Sequence, residues 1–527
     1  MNPSNLNRRD FLNLLLLFAL AESGVPGVGG LKNGFPLGIE PRSPNGASTQ
    51  ASNLPNILFL VFDTLSARHV SLYGYRRNTT PNLARFADRS TVFHRHYAGG
   101  NFTVPGTASL LTGSYPWSHR GLHLFGSVKS EYNDRNLFSM FADDYYISAY
   151  THNALVMGLF DQFRSHLDQL TPPKELAVLS EPLSDRLFEK DYFVSLWGER
   201  VIRGSGLGGL PGSLFLSYTE LGEDFDSFTP EILKRQYGSL FPKGLPNHSI
   251  GIFFLLEDAI DWIKTQVVEA PRPFLGYYHM LPPHEPYKPR REFIDGFNDG
   301  WQPPPKPTLI FPQNRTEEYL SDQRRQYDEY LAYVDSEFGR LLDSLEQTGV
   351  LEHTLVILTS DHGQLFERGI HGHVTSTLYD PVIHVPLLIS KPGQNKREDV
   401  RSPTSAVDLL PTLLHYTGKS IPEWCVGRIL PTFSGPDPDP ARNIFAVEAK
   451  MNPKMGPLNV GTAAMIKGRY KLVRYFGYDR PQDFYELYDL ENDPDELEDL
   501  FRLKIVSLAS ELKEELNLKI AEANKES

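Results

Sequence analysis

Two acidic positions stand directly behind apolar runs. Asp63 follows Asn56-Ile57-Leu58-Phe59-Leu60-Val61-Phe62, and Asp361-His362-Gly363 follows Leu355-Val356-Ile357-Leu358-Thr359-Ser360. Continuous apolar runs of this kind predict strands buried on both faces, and ligand sites in open α/β sheets lie just past the carboxyl ends of such strands. Two carboxylates gathered there with an imidazole would repel each other unless protons or a cation came between them, and a divalent cation is the economical solution. Either aspartate alone reads as a turn or a helix cap; the two together, each after a buried strand, favour a metal. The third element is Asn101-Phe102-Thr103-Val104-Pro105-Gly106-Thr107-Ala108-Ser109-Leu110-Leu111-Thr112-Gly113. A helix starting near Pro105 would put Thr103 at its N-terminus, where free N–H groups and the helix dipole favour an anion. A hydroxyl there, bound to a cation, loses its proton more readily and becomes a nucleophile. On local sequence alone Thr103 is an ordinary helix N-cap.

These groups need a rigid frame, and the pattern of the chain supplies one. Further strands are predicted at Phe274–Tyr278 and His384–Ser390. Helices are predicted at Pro81–Arg89, Glu317–Gln347 and Thr404–Tyr416, the last two followed by the stop signals Gly349 and Gly418. Strands alternating with helices predict an α/β fold, a large mostly parallel sheet sandwiched by helices. Past residue 420 the character changes. Tyr470–Tyr475 reads as a strand, Asp489–Pro494 as an acidic turn, and a charged helix follows from about Asp495, which together make a small C-terminal α+β subdomain.

Composition bounds the function. The 527 residues, 40% hydrophobic and 22% charged, can bury a large core, so whole-chain disorder is excluded. The net charge of −13 and the lack of a long Lys/Arg run argue against a nucleic-acid partner. Cys425 is the only cysteine, so no intramolecular disulfide and no cysteine-based zinc cluster can form. Asn7-Arg8-Arg9-Asp10-Phe11-Leu12, the short apolar run to Ala21 and Ala19-Leu20-Ala21 resemble a twin-arginine export signal with a cleavage site. The protein is therefore expected to be exported and extracytoplasmic, in the periplasm or at the cell surface; left uncleaved, the signal would tether it to the membrane. The expected plan is a signal at 1–21, a flexible spacer at 22–54, a catalytic domain at 55–420 with an insertion at about 170–249, and the C-terminal subdomain at 421–527.

The order of motifs resembles the sulfatase family within the alkaline-phosphatase-like superfamily. The resemblance runs through Asn56-Ile57-Leu58, Asp63-Thr64-Leu65, Tyr73-Gly74-Tyr75, Thr80-Pro81-Asn82-Leu83 and Ala108-Ser109-Leu110-Leu111-Thr112-Gly113-Ser114-Tyr115-Pro116. It continues at Pro283-His284-Glu285-Pro286, Tyr333-Val334-Asp335, Thr359-Ser360-Asp361-His362-Gly363, His384-Val385-Pro386-Leu387 and Glu486-Leu487-Tyr488-Asp489-Leu490-Glu491-Asn492-Asp493-Pro494. It implies one divalent metal held by Asp63, Thr103, Asp361 and His362, and contacts to the substrate anion from His284 and His373. It also implies a weaker leaving-group role for His371. His279 and His384 read as structural. No clear Asp-x-x-x-His marks a second metal, and a histidine among the ligands admits Mn2+ or Zn2+ as well as Ca2+.

The family pattern has Cys or Ser at the nucleophile position, Pro two residues later and Arg four residues later; here the residues are Thr103, Pro105 and Thr107. A Cys or Ser there is oxidised to formylglycine. Threonine cannot give that aldehyde, because its Cβ carries a methyl group, so no formylglycine is expected. A sulfated threonine also lacks the elimination by which a formylglycine hydrate sheds sulfate, whereas a phosphothreonine can be resolved at phosphorus by water or an alcohol. The leading expectation is a metal-dependent hydrolase or transferase acting on an anionic ester, a phosphodiester or phosphoryl donor, through Thr103. The alternatives are sulfuric ester hydrolysis without formylglycine and a non-catalytic binding protein on the same fold.

Overall fold

The structure, a computed structural model, describes residues 54–179, 231–247, 252–307, 311, 313–435, 442–479, 483–501 and 506–525. The expected export signal, nearly all of the spacer and most of the insertion at about 170–249 lie outside the described residues. Residues 51–175 and 256–527 form one compact unit. The other unit contains residues 176–255, in which Ala177–Leu179 pairs antiparallel with Phe253–Phe254.

The larger unit is built on eight strands: β1 (Asn56–Phe62), β2 (Thr91–Phe93), β3 (Tyr146–Thr151), β4 (Gln169–Thr171), β5 (Phe274–Met280), β6 (Thr354–Thr359), β7 (Leu387–Ser390) and β8 (Glu398–Val400). Their order across the sheet is β8-β2-β7-β6-β1-β5-β3-β4. The run from β6 to β4 is parallel, and β7 pairs antiparallel with both β6 and β2. Every residue of β1, β5 and β6 is buried, which is why these segments are apolar almost throughout.

Helices cover both faces. They include α1 (Pro81–Ala87), α2 (Thr103–Thr112), α3 (Ala154–Gln162), α4 (Leu256–Glu269), α5 (Glu317–Gln347) and α6 (Leu409–Tyr416). Phe62 of β1 meets Phe338 of α5, whereas Phe59, on the opposite face, meets Tyr277, which in turn packs on Phe138 and Phe160. Among the described residues no helix is long and apolar enough to cross a membrane.

The C-terminal residues form a four-stranded antiparallel sheet, β9 (Asn443–Glu448), β10 (Gly461–Lys467), β11 (Tyr470–Phe476) and β12 (Phe484–Asp489), followed by helix α7 (Val506–Lys525). Alternate residues of β9 enter two cores. Phe445 and Val447 join Trp117, Leu512 and Leu516, while Ile444 and Ala446 join Tyr379, Val382 and Ile383. Such shared cores explain why this sheet belongs to the same compact unit as the large one.

Three expected elements differ. The helix anticipated at Thr404–Tyr416 begins only at Leu409: Thr404–Ser405 pairs with His96–Tyr97, and Ser405 exchanges capping hydrogen bonds with Asp408. The strand anticipated from His384 starts at Leu387, after the short helix Asp380–Ile383. The charged helix anticipated from Asp495 begins at Val506. Tertiary pairing overrides helical pattern at that point: Glu496 takes a left-handed conformation (φ 57°), and its buried carboxylate lies 2.7 Å from Lys471 Nζ and accepts from Asp380 N–H.

Candidate active site

Parallel pairing brings four strand ends to one edge. Val61 of β1 pairs with Thr359 of β6, so Asp63 and Asp361, each two residues further on, stand level with each other. Val61 also pairs with His279 of β5, which pairs in turn with Thr151 of β3. The loop after β3 begins His152-Asn153. Asp63, His279, Asp361, His362 and Asn153 are all essentially buried.

The side chains converge. The ligand atoms of Asp63, His279 and Asp361 lie within 4.8 Å of one another. His279 Nε2 is 3.5 Å from Asp63 Oδ2 and 3.8 Å from Asp361 Oδ2. His362 Nε2 is 3.5 Å from Asp63 Oδ1, 3.5 Å from Asp361 Oδ2 and 3.5 Å from Thr103 Oγ1. Asn153 Nδ2 donates to Asp63 Oδ2 at 2.6 Å. Thr107, standing where the family pattern has arginine, has its Oγ1 3.4 Å from Asp361 Oδ2.

Two details fix the frame around these groups. Ser360 Oγ accepts from Leu65 N–H and donates to His362 O, tying the loop after β1 to the loop after β6. Tyr327 of α5 donates to Thr64 O at 2.7 Å and accepts from Ser66 N–H, which holds the left-handed turn at Thr64 (φ 61°). Glycine is required at two close approaches: a Cβ on Gly106 would lie 2.2 Å from Asp361 O, and one on Gly363 would lie 2.1 Å from Pro381 O.

Helix α2 starts at Thr103, not near Pro105, with Phe102 as its N-cap and no side-chain cap. Pro105 is accommodated because the first-turn N–H groups have no partner within the helix. The N-cap alternative for Thr103 is thereby removed: its hydroxyl faces His362.

Electrostatics separate the two carboxyls. Burial presses the Asp63 carboxyl upward, yet His279, His284 and His362 hold it below the usual carboxylate range. Burial and the neighbouring Asp63 charge hold Asp361 well above that range. Burial lowers His362 to about 4 and puts His373 well below its ordinary value, with His362 and His284 adding to the His373 shift. A second negative charge therefore enters this cluster readily only with a cation. Among the described residues, Asp63 Oδ1 and both nitrogens of His279 are buried without a hydrogen-bond partner. Two carboxylates, two imidazoles and a hydroxyl with such orphaned atoms fit a divalent cation.

The remaining expected residues line one side. His373 packs on His362 (ring centroids 4.5 Å apart) and on His284 (4.9 Å). His373 Nδ1 is 2.7 Å from Gln364 Oε1, and His284 Nδ1 is 2.6 Å from Glu285 O. At His371, the Tyr287 and Tyr319 hydroxyls lie 3.1 Å from Nε2 and 3.0 Å from Nδ1, and Glu285 Oε2 lies 3.4 Å from Nε2. His384 bonds His94 O and is structural. His279, expected to be structural, instead lies between the two aspartates. Sequence reasoning also missed Asn153, whose only signal is a polar pair behind a short strand of mixed polarity.

A family model described as "Sulfatase" matches residues 55–177 and 219–419, more than half of the chain, and one described as "N-sulphoglucosamine sulphohydrolase, C-terminal" matches residues 369–523. The chain is similar to the choline-sulfatase of Rhizobium meliloti (strain 1021), 26% identical over 479 residues that cover 85% of this chain and 82% of the relative. Its fold is similar to the putative sulfatase YidJ from Bacteroides fragilis (TM-score 0.62, 18% identity, 91% and 98% of the two chains). It is likewise similar in fold to the phosphonate monoester hydrolase of Agrobacterium radiobacter (TM-score 0.58, 19% identity, 89% and 95%).

Proposed function

The chain belongs to the sulfatase family, and from that premise we propose that it is a phosphoester hydrolase or phosphotransferase whose nucleophile is Thr103. The observation that carries this reading is a threonine hydroxyl at the start of α2, 3.5 Å from His362 Nε2, where the family pattern has the residue oxidised to formylglycine. Threonine supports attack at phosphorus, because a phosphothreonine is resolved without an aldehyde.

Asp63, His279, Asp361 and His362, with Thr103, would hold a divalent cation, Ca2+, Mn2+ or Zn2+. When bound it would polarise the non-bridging oxygens of the ester and lower the pKa of the hydroxyl. The rest is done by the chain's own groups. Gln364 Nε2 donates to Tyr287 Oη at 2.8 Å, so Gln364 Oε1 accepts from His373 Nδ1–H. That leaves Nε2 of a neutral His373 free to take the Thr103 proton as the Thr103 Oγ–P bond forms. His284 is held by its Nδ1 on Glu285 O and borders the anion. As the P–O bond to the leaving alcohol breaks, the proton held on His373 passes to the departing oxygen. Water or an alcohol then attacks the phosphothreonine and gives its proton to His373, which returns it to Thr103 as the Thr103 Oγ–P bond breaks.

Sulfate-ester hydrolysis is the second reading, favoured by the name of the choline-sulfatase relative. The discriminating assay compares nitrophenyl sulfate, phosphate monoester and phosphodiester on the metal-loaded protein and its Thr103→Ala variant. Phosphodiester turnover that disappears in the variant is the expected result. Turnover of the sulfate alone would overturn the proposal. We also infer export by the twin-arginine route from Asn7-Arg8-Arg9-Asp10-Phe11-Leu12; full-length protein found only in the cytoplasm would contradict it.

A further inference from the structure

Arg120 follows the short helix Pro116–His119 and is wholly buried. Among the described residues, its Nε, Nη1 and Nη2 atoms all lack a hydrogen-bond partner. Burial alone lowers its pKa, with no carboxylate acting on it. Its backbone is left-handed (φ 60°), a region that a non-glycine residue enters at a cost. As the C-cap of that helix its backbone N–H donates to Pro116 O, but among the described residues no side chain or carbonyl pairs with the guanidinium. A buried guanidinium without a counter-charge is among the most expensive groups a fold can hold. Its planar fork of five donors matches the edge of an oxyanion.

A Cβ on Gly121 would lie 3.3 Å from Val104 Cγ1, so the chain beside Arg120 runs against the first turn of α2, one residue from Thr103. His119 is fixed, with Nε2 3.1 Å from Ser109 Oγ and Nδ1 accepting from Gly121 N–H. Burial and the Arg120 charge push His119 down to about 3, so it is neutral beside Arg120. At position 107 the chain has threonine in place of the arginine of the family pattern.

We propose that Arg120 is the cation of a buried site for a tetrahedral oxyanion, phosphate or sulfate. The anion comes either from the substrate or from solution, and the site does not depend on which ester the enzyme turns over. The test is calorimetric titration of the metal-loaded wild type, Arg120→Met and Arg120→Lys with inorganic phosphate and with sulfate. Thermal unfolding without anion is measured alongside and also shows that each variant folds.

If the substrate supplies the anion, phosphate binds as one equivalent, Arg120→Met weakens it by about tenfold or more, and kcat/KM falls with it. If the anion is free, the wild type binds two equivalents and Arg120→Met one. Arg120→Lys retains part of the affinity in either case, because the charge stays and the fork is lost. Without anion, Arg120→Met melts higher than wild type, since an unpaired buried charge is removed. Identical isotherms for wild type and Arg120→Met, with the variant melting lower, would show a purely structural arginine and overturn the proposal. Because binding and melting are read without turnover, failure here is distinct from failure of the Thr103 reading.

Discussion

Replacing Gly106 by alanine inserts one methyl group between α2 and the strand end that carries Asp361. The new Cβ would lie 2.2 Å from Asp361 O, 2.9 Å from Asp361 C and 3.4 Å from Asp361 Cβ. Non-bonded carbon contacts settle near ~3.5 Å, so the two segments must part by about 1 Å. The nearest atoms belong to the backbone, so no side-chain rotation relieves the clash. Forcing a methyl into a packed interior costs about 1–3 kcal/mol. The larger consequence is kinetic. Thr103 and Thr107 flank Gly106 on the same helix and face His362 and Asp361, so the separation opens the distance between nucleophile and cluster. A misplacement of about 1 Å costs on the order of 100-fold in rate. Urea unfolding and kcat/KM on the best nitrophenyl ester measure both effects. The expected result is a folded variant, destabilised by about 1–3 kcal/mol, with kcat/KM down about 100-fold. A variant with wild-type kcat/KM and unchanged stability would refute the argument that this close approach sets the site.

Three further outcomes follow from the same geometry. Asn153→Ala leaves buried Asp63 Oδ2 without its 2.6 Å donor, and urea unfolding of the chelated protein should show a loss of about 1–3 kcal/mol; an unchanged midpoint contradicts the assignment. Burial lowers His96 and His119 to about 3 and His384 to about 4, against about 6.5 in an unfolded chain. The unfolded chain therefore binds more protons: this stability is complete above pH ~6.5 and is lost as pH falls, by about 2 kcal/mol per histidine at pH 5. Urea midpoints that stay flat from pH 7 to 5 would contradict it. Chelation should lower Tm, because a cation held only by the folded chain stabilises it; Mn2+ or Ca2+ should restore it, and Asp361→Asn should abolish the response; a chelator-insensitive wild type would contradict a cation in this cluster.

What the sequence made legible is the part governed by local pattern. The strands β1 and β6 are apolar because both faces are covered, and the aspartates behind them are conspicuous for that reason. The helix Glu317–Gln347 has the expected bounds because its apolar residues repeat at helical spacing over many turns. What depends on pairing was hidden. His279 is one imidazole inside a buried strand, and only its register with Val61 brings it to the aspartates. Asn153 follows Tyr146–Thr151, whose tyrosines, serine and threonine disguise a buried strand. The capture of both His371 nitrogens by Tyr287 and Tyr319 joins residues far apart in the chain. Arg120 has no sequence signal at all, since its burial and left-handed backbone arise only in the fold.

The most direct test of the central claim is an acid-quenched turnover of a phosphodiester by the metal-loaded protein, followed by peptide mass mapping across residues 101–113. A phosphoryl adduct on Thr103 is expected, formed at the rate of the first turnover and absent from Thr103→Ala. Sustained turnover with an unmodified Thr103, or turnover that survives in Thr103→Ala, would contradict it.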